Sequence, residues 1–431
     1  MRDPDTAADT PDSPRYATYR QTNRNWSRRQ ALASLASVGT LALAGCSLQS
    51  VIPGVQPLWE RDFSAAMAAG PPAATDEHVV VGGQNKRLHA FTADGERAFS
   101  FETGGPIEAR PAVPASGGPV HVHSTDGDLY TVGLSGTERW HEEGQARDGW
   151  LGRQGSLLVG VDSLEDVVTG YDVRDGTRRF QRSGQRYPYP TLSESACIVA
   201  VTDGDGDGDT KLVTLAPSTG EGLWESPARD GYPRVVAIGD RIVTVRDSTV
   251  RMRRARDGYV LWETAVAGEV TNYFGPLLWL GEHVYVQVDR DDRADEFVGI
   301  NRDTGSIQWR RNVGYELERV TATPEGVFVA SSVDDPGGGL LVRLDAFALD
   351  GTRRWKTTTD LVIGGTVEAL GRVGDVLVVA SDHELAAYDP ASGSRRWHYD
   401  PESNRISVAA ANGALYVSYR DTGGLARLPT D

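Results

Sequence analysis

Residues 385–397 read LAAYDPASGSRRW: a short apolar run, an Asp, a turn of Pro, Ser and Gly, and a closing Trp. The same order returns at 212–224 (LVTLAPSTGEGLW), 297–309 (FVGINRDTGSIQW) and 344–355 (LDAFALDGTRRW). Followed outward, the closing aromatic recurs at Trp59, Phe99, Trp140, Phe180, Trp224, Trp262, Trp309, Trp355 and Trp397, at intervals of 38 to 47 residues. A period of this size in a β-patterned chain marks a propeller or a solenoid.

Inside each interval, four short β-branched runs alternate with turn residues, as strands joined by hairpins do. Asp94-Gly95, Asp175-Gly176, Asp257-Gly258 and Asp350-Gly351 read as tight hairpin dipeptides, and Thr219-Gly220, Thr304-Gly305 and Ser392-Gly393 stand at the equivalent place. Glycine supplies positive φ there without steric cost. The aromatic that follows lies on the fourth strand of its unit, where its flat side chain can cover the seam with the next unit. One four-stranded sheet cannot bury both faces, but a ring of sheets does. Helical periodicity is not sustained anywhere after residue 46.

Closure of the ring is also readable. Residues 406–428 supply three strand-like runs and then the chain ends, whereas residues 56–63 (QPLWERDF) are an orphan fourth strand carrying Trp59. Pairing the two leaves no free edge where the chain ends meet. The expected fold is therefore all-β: a β-propeller of four-stranded blades whose last blade is closed by the N-terminal strand. The count is eight or nine, with the units ending in Phe99 and Phe180 marked as the ones that could be degenerate.

These units resemble the PQQ-like propeller repeat, roughly Ala-x-Asp-x-x-Thr-Gly-x-x-x-Trp. Ala387, Asp389, Gly393 and Trp397 match it, as do Asn301, Thr304, Gly305 and Trp309 with Asn for Asp. The resemblance covers nearly all of residues 55–428. It implies the fold firmly and the function loosely, since the family includes quinone-dependent dehydrogenases and cofactor-free scaffolds. Among the latter are lipoproteins of the bacterial outer-membrane assembly machinery, similar to this chain in length, N-terminus and split closing blade.

Residues 1–46 read as an address. Arg28 and Arg29 sit in SRRQAL, which resembles the twin-arginine export motif, with Ala31 where Phe is favoured. Residues 31–45 are an apolar run too short for a comfortable membrane span. It ends in Leu-Ala-Gly before Cys46, which resembles a lipobox whose cysteine is acylated. The expected organisation is a lipoprotein signal over 1–46, a tether over 47–57 and one propeller domain over 58–431.

The chain carries 44 Lys and Arg against 60 Asp and Glu, and only three of the basic residues are lysines: Lys86, Lys211 and Lys356. Residues 1–45 hold six Arg and four Asp, so the remainder has a net charge of −18. Strong acidity with Arg in place of Lys is of the haloarchaeal type, since salt screens the self-repulsion such a charge causes. Nucleic acid is not an expected partner, because no basic stripe is available for phosphates. Of the two cysteines, Cys46 is assigned to the lipid and Cys197, in an apolar run, to the core.

Asp203, Asp205 and Asp207, with Gly208 and Asp209, form the densest constellation and resemble a calcium loop. Thr214 and Lys211 stand where the closing carboxylate of such loops is wanted, so an acidic hairpin between two strands of one blade is the plainer reading and no metal is expected. His121 and His123 place two imidazoles on one face of a strand without a third ligand nearby. No adjacent cysteine pair, of the kind that covers the quinone in the related dehydrogenases, is present. No nucleophile elbow, P-loop or zinc-helix motif occurs either. The irregular loops are better candidates for binding: aromatic at Tyr187, Tyr189, Tyr273 and Phe274, acidic at 289–296 and 334–335. The expectation is an exported, lipid-anchored scaffold or assembly factor on the extracytoplasmic face of the membrane. It would need no cofactor and would engage envelope proteins. The alternative is a tethered quinone-dependent oxidoreductase.

Overall fold

A computed structural model describes residues 54–431 except 64–69, 115–116, 145–150, 163–164, 184–189, 203–209, 228–233, 269, 271–277, 289–294, 315–316, 335–339, 364–366, 402 and 404. All regular structure in it is β, arranged as nine antiparallel meander sheets in chain order. Blade 1 runs from Ala73–Ala74 through His78–Gly82 and Arg87–Thr92 to Arg97–Glu102. Blade 3 runs from Leu151–Gln154 through Leu157–Asp162 and Val167–Asp172 to Arg178–Ser183, and blade 4 from Thr191–Leu192 through Cys197–Thr202 and Thr210–Leu215 to Gly222–Glu225. Blade 5 runs from Arg234–Ile238 through Arg241–Arg246 and Thr249–Arg254 to Val260–Ala265. Blade 9 takes Ile406–Ala411, Ala414–Tyr419 and Gly424–Leu428 from the end of the chain. Its fourth strand is Trp59–Asp62, with Trp59 opposite Arg427 and Asp62 opposite Gly424. The sequence left eight or nine blades open; the structure has nine.

The degenerate blade is not one of those marked by a Phe. The sheets ending in Phe99 and Phe180 each have four strands, whereas blade 2 has three: Val120–His123, Leu129–Val132 and Glu138–Glu142. Its innermost strand is reduced to a single bridge between Ala112 and His121. Pro111 and Pro114 flank that bridge and bring no amide hydrogen to a ladder. A Phe at the closing position costs the blade no strand.

The hairpins between third and fourth strands also differ from the two-residue turns expected. Only the glycine has positive φ, +73° at Gly393 and also at Gly305, and never the residue before it. A register shift falls near the end of the third strand in all eight blades that have this hairpin. The extra residue is thus absorbed by a bulge. The repeat's Asp or Asn caps this loop. Asp389 Oδ1 accepts from the amides of Ala391 (3.0 Å) and Ser392 (2.9 Å), and Asn301 Oδ1 accepts from those of Asp303 (3.1 Å) and Thr304 (3.0 Å).

Nine apolar clusters lie in the nine junctions between consecutive blades. The one between blades 9 and 1 joins Tyr416 and Leu425 to Val79, Val81 and Phe91 and so closes the ring. Side chains alternate along each strand, so a buried strand serves one junction with its odd positions and the other with its even ones.

Candidate functional site

The closing aromatics sit over the next blade's hairpin. A Cβ on Gly258 would lie 2.6 Å from Trp224, and one on Gly305 2.7 Å from Trp262. The indole N–H then donates to a carbonyl of the same hairpin: Trp59 to Ala93 (2.7 Å), Trp140 to Val173 (3.3 Å), Trp224 to Ala255 (2.7 Å), Trp262 to Arg302 (2.6 Å), Trp309 to Leu349 (3.0 Å) and Trp355 to Pro390 (2.9 Å). Phe99 and Phe180 cover Gly136 and Gly220 with ring alone. Trp397 has no such hairpin before it, because blade 9 is assembled from the two chain ends. Its Nε1 is buried and finds no acceptor among the described residues. Here the N-terminal segment takes over: the Val55 amide donates to the carbonyl of His398 (2.9 Å), and Val55 packs on the cluster that holds Trp397.

Arg28, Arg29 and Cys46 lie outside the described residues, as do Asp203, Asp205 and Asp207 and the aromatics Tyr187, Tyr189, Tyr273 and Phe274. Of the two acidic loops, 289–294 and 335 lie outside them as well. His121 and His123 are buried where blade 2 meets blade 3. His121 Nδ1 lies 2.8 Å from Thr131 Oγ1 and its ring packs on Trp140. Burial, then the charges of Arg153 and Arg139, lower its pKa to about 3. Cys197 is buried in the junction of blades 3 and 4, which pushes its thiol up to about 12. Among the described residues no group of three His, Cys, Asp or Glu is placed to hold a metal.

The junction between blades 4 and 5 departs from the other described junctions at one third-strand position. The residue just after the bulge on each third strand is buried and apolar or aromatic at Phe91, Val132, Tyr171, Leu215, Ile300, Phe347 and Tyr388. In blade 5 it is Arg253. With Arg246 and Arg251 it lines a cleft of about 140 Å³ whose other wall carries Leu212, Ser226 and Pro227 of blade 4. Arg251 Nε donates to Glu263 (2.7 Å), and Arg246 donates to the carbonyl of Thr210 (2.7 Å). Arg253 Nη1 donates to the carbonyl of Gly258 (3.1 Å), its guanidinium lies 5.9 Å from the Trp224 ring centre, and its Nε is buried without a hydrogen-bond partner. Burial, then the like charge of Arg251, push this guanidinium below its ordinary value.

Beside the cleft, the outer strands of the same two blades expose Leu223, Val260 and Leu261, and the hairpin before Val260 exposes Tyr259. Val260 is the cross-strand partner of Arg253 and Glu263 that of Arg251. No motif in the sequence marks this site. Its trace is the run RMRRAR at 251–256, which puts Arg253 at a third-strand position that is apolar elsewhere, but the bulge that aligns it is visible only in the structure.

No curated protein matches the chain significantly. Several solved propellers do. BamB from Moraxella catarrhalis is 11% identical, covering 87% of this chain and 97% of its own, with a TM-score of 0.52. The quinohemoprotein alcohol dehydrogenase from Comamonas testosteroni is 14% identical over 87% of this chain and 76% of its own, with a TM-score of 0.52. The computationally designed Ika8 protein is 13% identical over 74% and 95%, with a TM-score of 0.53. At such identities the likeness is one of fold alone. The sequence profile of one family matches residues 54–164 and 246–423, which is more than half of the chain, and the chain therefore belongs to the PQQ-type family described as outer membrane protein assembly factor BamB.

Proposed function

We propose that the chain is an exported, lipid-anchored propeller that serves as a protein-binding scaffold, without catalysis of its own, on the extracytoplasmic face of the membrane. The observation that carries this reading is the family match over residues 54–164 and 246–423, since the family is described as an assembly factor. The exposed apolar residues support it. Of the five large exposed apolar side chains among the described residues, three stand on the outer strands of blades 4 and 5 and a fourth, Tyr259, immediately precedes the latter. Aromatic and Arg side chains together at a surface are the composition of a protein interface.

The anchor has a direct test. Cys46→Ser should shift the protein from the membrane to the soluble or secreted fraction, and unchanged membrane retention would sink the lipid reading. Arg28 and Arg29 replaced together by Lys should block export by the twin-arginine route. The binding role is tested by crosslinking in intact membranes, which should capture the same envelope protein reproducibly. A purified protein that retained quinone stoichiometrically and reduced dye with an alcohol would instead establish the oxidoreductase reading. That chemistry lacks its cysteine pair here, as Cys46 and Cys197 are the only two cysteines in the sequence.

A further inference from the structure

We propose that the junction of blades 4 and 5 is a docking surface for an acidic segment of a partner protein, with one of its carboxylates seated among Arg246, Arg251 and Arg253. The proposal rests on the scaffold reading and gives that scaffold a specific contact. Its first ground is the broken rule at Arg253. Seven blades fill this position with a buried apolar or aromatic side chain, Leu215 in neighbouring blade 4 among them. A charge that replaces one of these costs stability, and such breaches of local consistency gather at functional sites.

The second ground is charge. Lys and Arg are outnumbered 44 to 60 in this chain, yet three guanidiniums line one cleft of about 140 Å³. Arg251 is bonded there to Glu263, whereas Arg253 meets no carboxylate among the described residues. Arg253 is bonded to a backbone carbonyl and stacked on Trp224, and the nearby charge of Arg251 repels it more than Glu263 attracts it. A planar carboxylate satisfies the guanidinium fork and cancels that repulsion. The third ground is shape. Leu212 and Pro227 line the opposite wall, which suits the carbon stem of a Glu side chain. Exposed Val260, across the strand from Arg253, and its neighbours Tyr259 and Leu261 offer apolar contact to the flanking residues of a peptide.

The test is calorimetric titration of the full chain with N-acetyl-tetraglutamate amide, with the tetraglutamine peptide and glutarate as comparisons. The glutamate peptide should bind saturably and the glutamine peptide at least tenfold more weakly. Arg253→Leu restores the residue type of the other blades, so it should melt at the same temperature or higher while losing at least tenfold in peptide affinity. Arg251→Gln leaves the Trp224 contact in place and should weaken the peptide severalfold. Undiminished peptide affinity in both variants would overturn the proposal. So would glutarate binding as tightly as the peptide, which would make the cleft a site for small acids and not a dock. A scaffold that captures no protein in intact membranes would remove the broader reading while leaving peptide binding measurable.

Discussion

At the scale of the residue, each unit depends on one aromatic and one glycine that meet across a junction. The nine positions are not equal. Trp262 gains a hydrogen bond to Arg302, whereas the Trp397 N–H is buried with no acceptor among the described residues. An unsatisfied buried donor costs about 1–3 kcal/mol, and a satisfied one contributes about 1. Trp262→Phe should therefore destabilise by about 2–4 kcal/mol more than Trp397→Phe does, as urea midpoints of the two variants would show. Histidines give a second handle. Burial, then Arg97 and Arg87, lower the His89 pKa from 6.5 to about 4, and His121 is lowered to about 3. Both side chains are almost wholly buried. The unfolded chain takes up these protons near pH 6.5 and the folded chain does not. Stability should fall as pH drops below 6.5, by about 1.4 kcal/mol per pH unit for each histidine, until the folded values are reached. Asp389, held down to about 2 by Arg396 and the turn amides, keeps its contribution throughout that window. Urea unfolding from pH 7 to pH 5 would measure the slope. His121→Gln should remove about half of it, and an unchanged slope would exclude His121 as a source.

At the scale of the element, the N-terminal strand shows why some of the fold was legible in the sequence and some was not. Its role followed from counting: three runs at the end of the chain and one at the start, with Trp59 in the register of the other closing aromatics. The structure adds what holds it. Trp59 covers Gly95, donates to Ala93 and packs against Phe91 and Tyr416. Trp59→Ala should cost about 3 kcal/mol, read as a lowered melting temperature, and a melting temperature left in place would argue against closure by this strand. Blade 2 was not legible in the same way. Its closing Trp140 is intact, and its loss is at the other end of the meander, where prolines weaken a strand that has no periodic signature of its own. The reading that Phe99 and Phe180 flagged weak blades failed because Phe forfeits only the indole hydrogen bond and keeps the ring on Gly136 and Gly220. The arginine cleft was hidden for a related reason. Periodicity alone assigns Arg253 to a strand face, but the bulge decides which face, and only the aligned blades show that the position is otherwise apolar.

At the scale of the whole molecule, charge is the property that one residue at a time does not reveal. Without residues 1–45 the chain carries −18. Some acids are neutralised locally and deeply: Asp345 is fully buried between Arg343 (2.7 Å) and Arg353 (2.9 Å), and Asp172 is held well below the usual carboxylate range, first by Arg174 and next by Arg179. The buried Asp345–Arg343 pair is screened little by salt, whereas Arg174 is exposed and its bond to Asp172 is open to screening. The acids nevertheless outnumber the bases by 18 once residues 1–45 are set aside, and the repulsion of that excess acts through solvent. The Debye length is about 30 Å at 0.01 M salt and about 3 Å at 1 M. In dilute buffer the repulsion therefore reaches across neighbouring blades, and in concentrated salt it does not reach the next side chain. A ring has no slack against this, since nine junctions must all stay shut for any one strand to keep both neighbours. If the acidic excess is an adaptation to high salt, the melting temperature should climb steeply between 0.01 M and 1 M and do so alike for NaCl and KCl, because screening depends on ionic strength and not on the cation. Circular dichroism melts across that series would show it. A melting temperature independent of salt would mean that the local ion pairs already balance the charge, and the halophilic reading of the composition would fall.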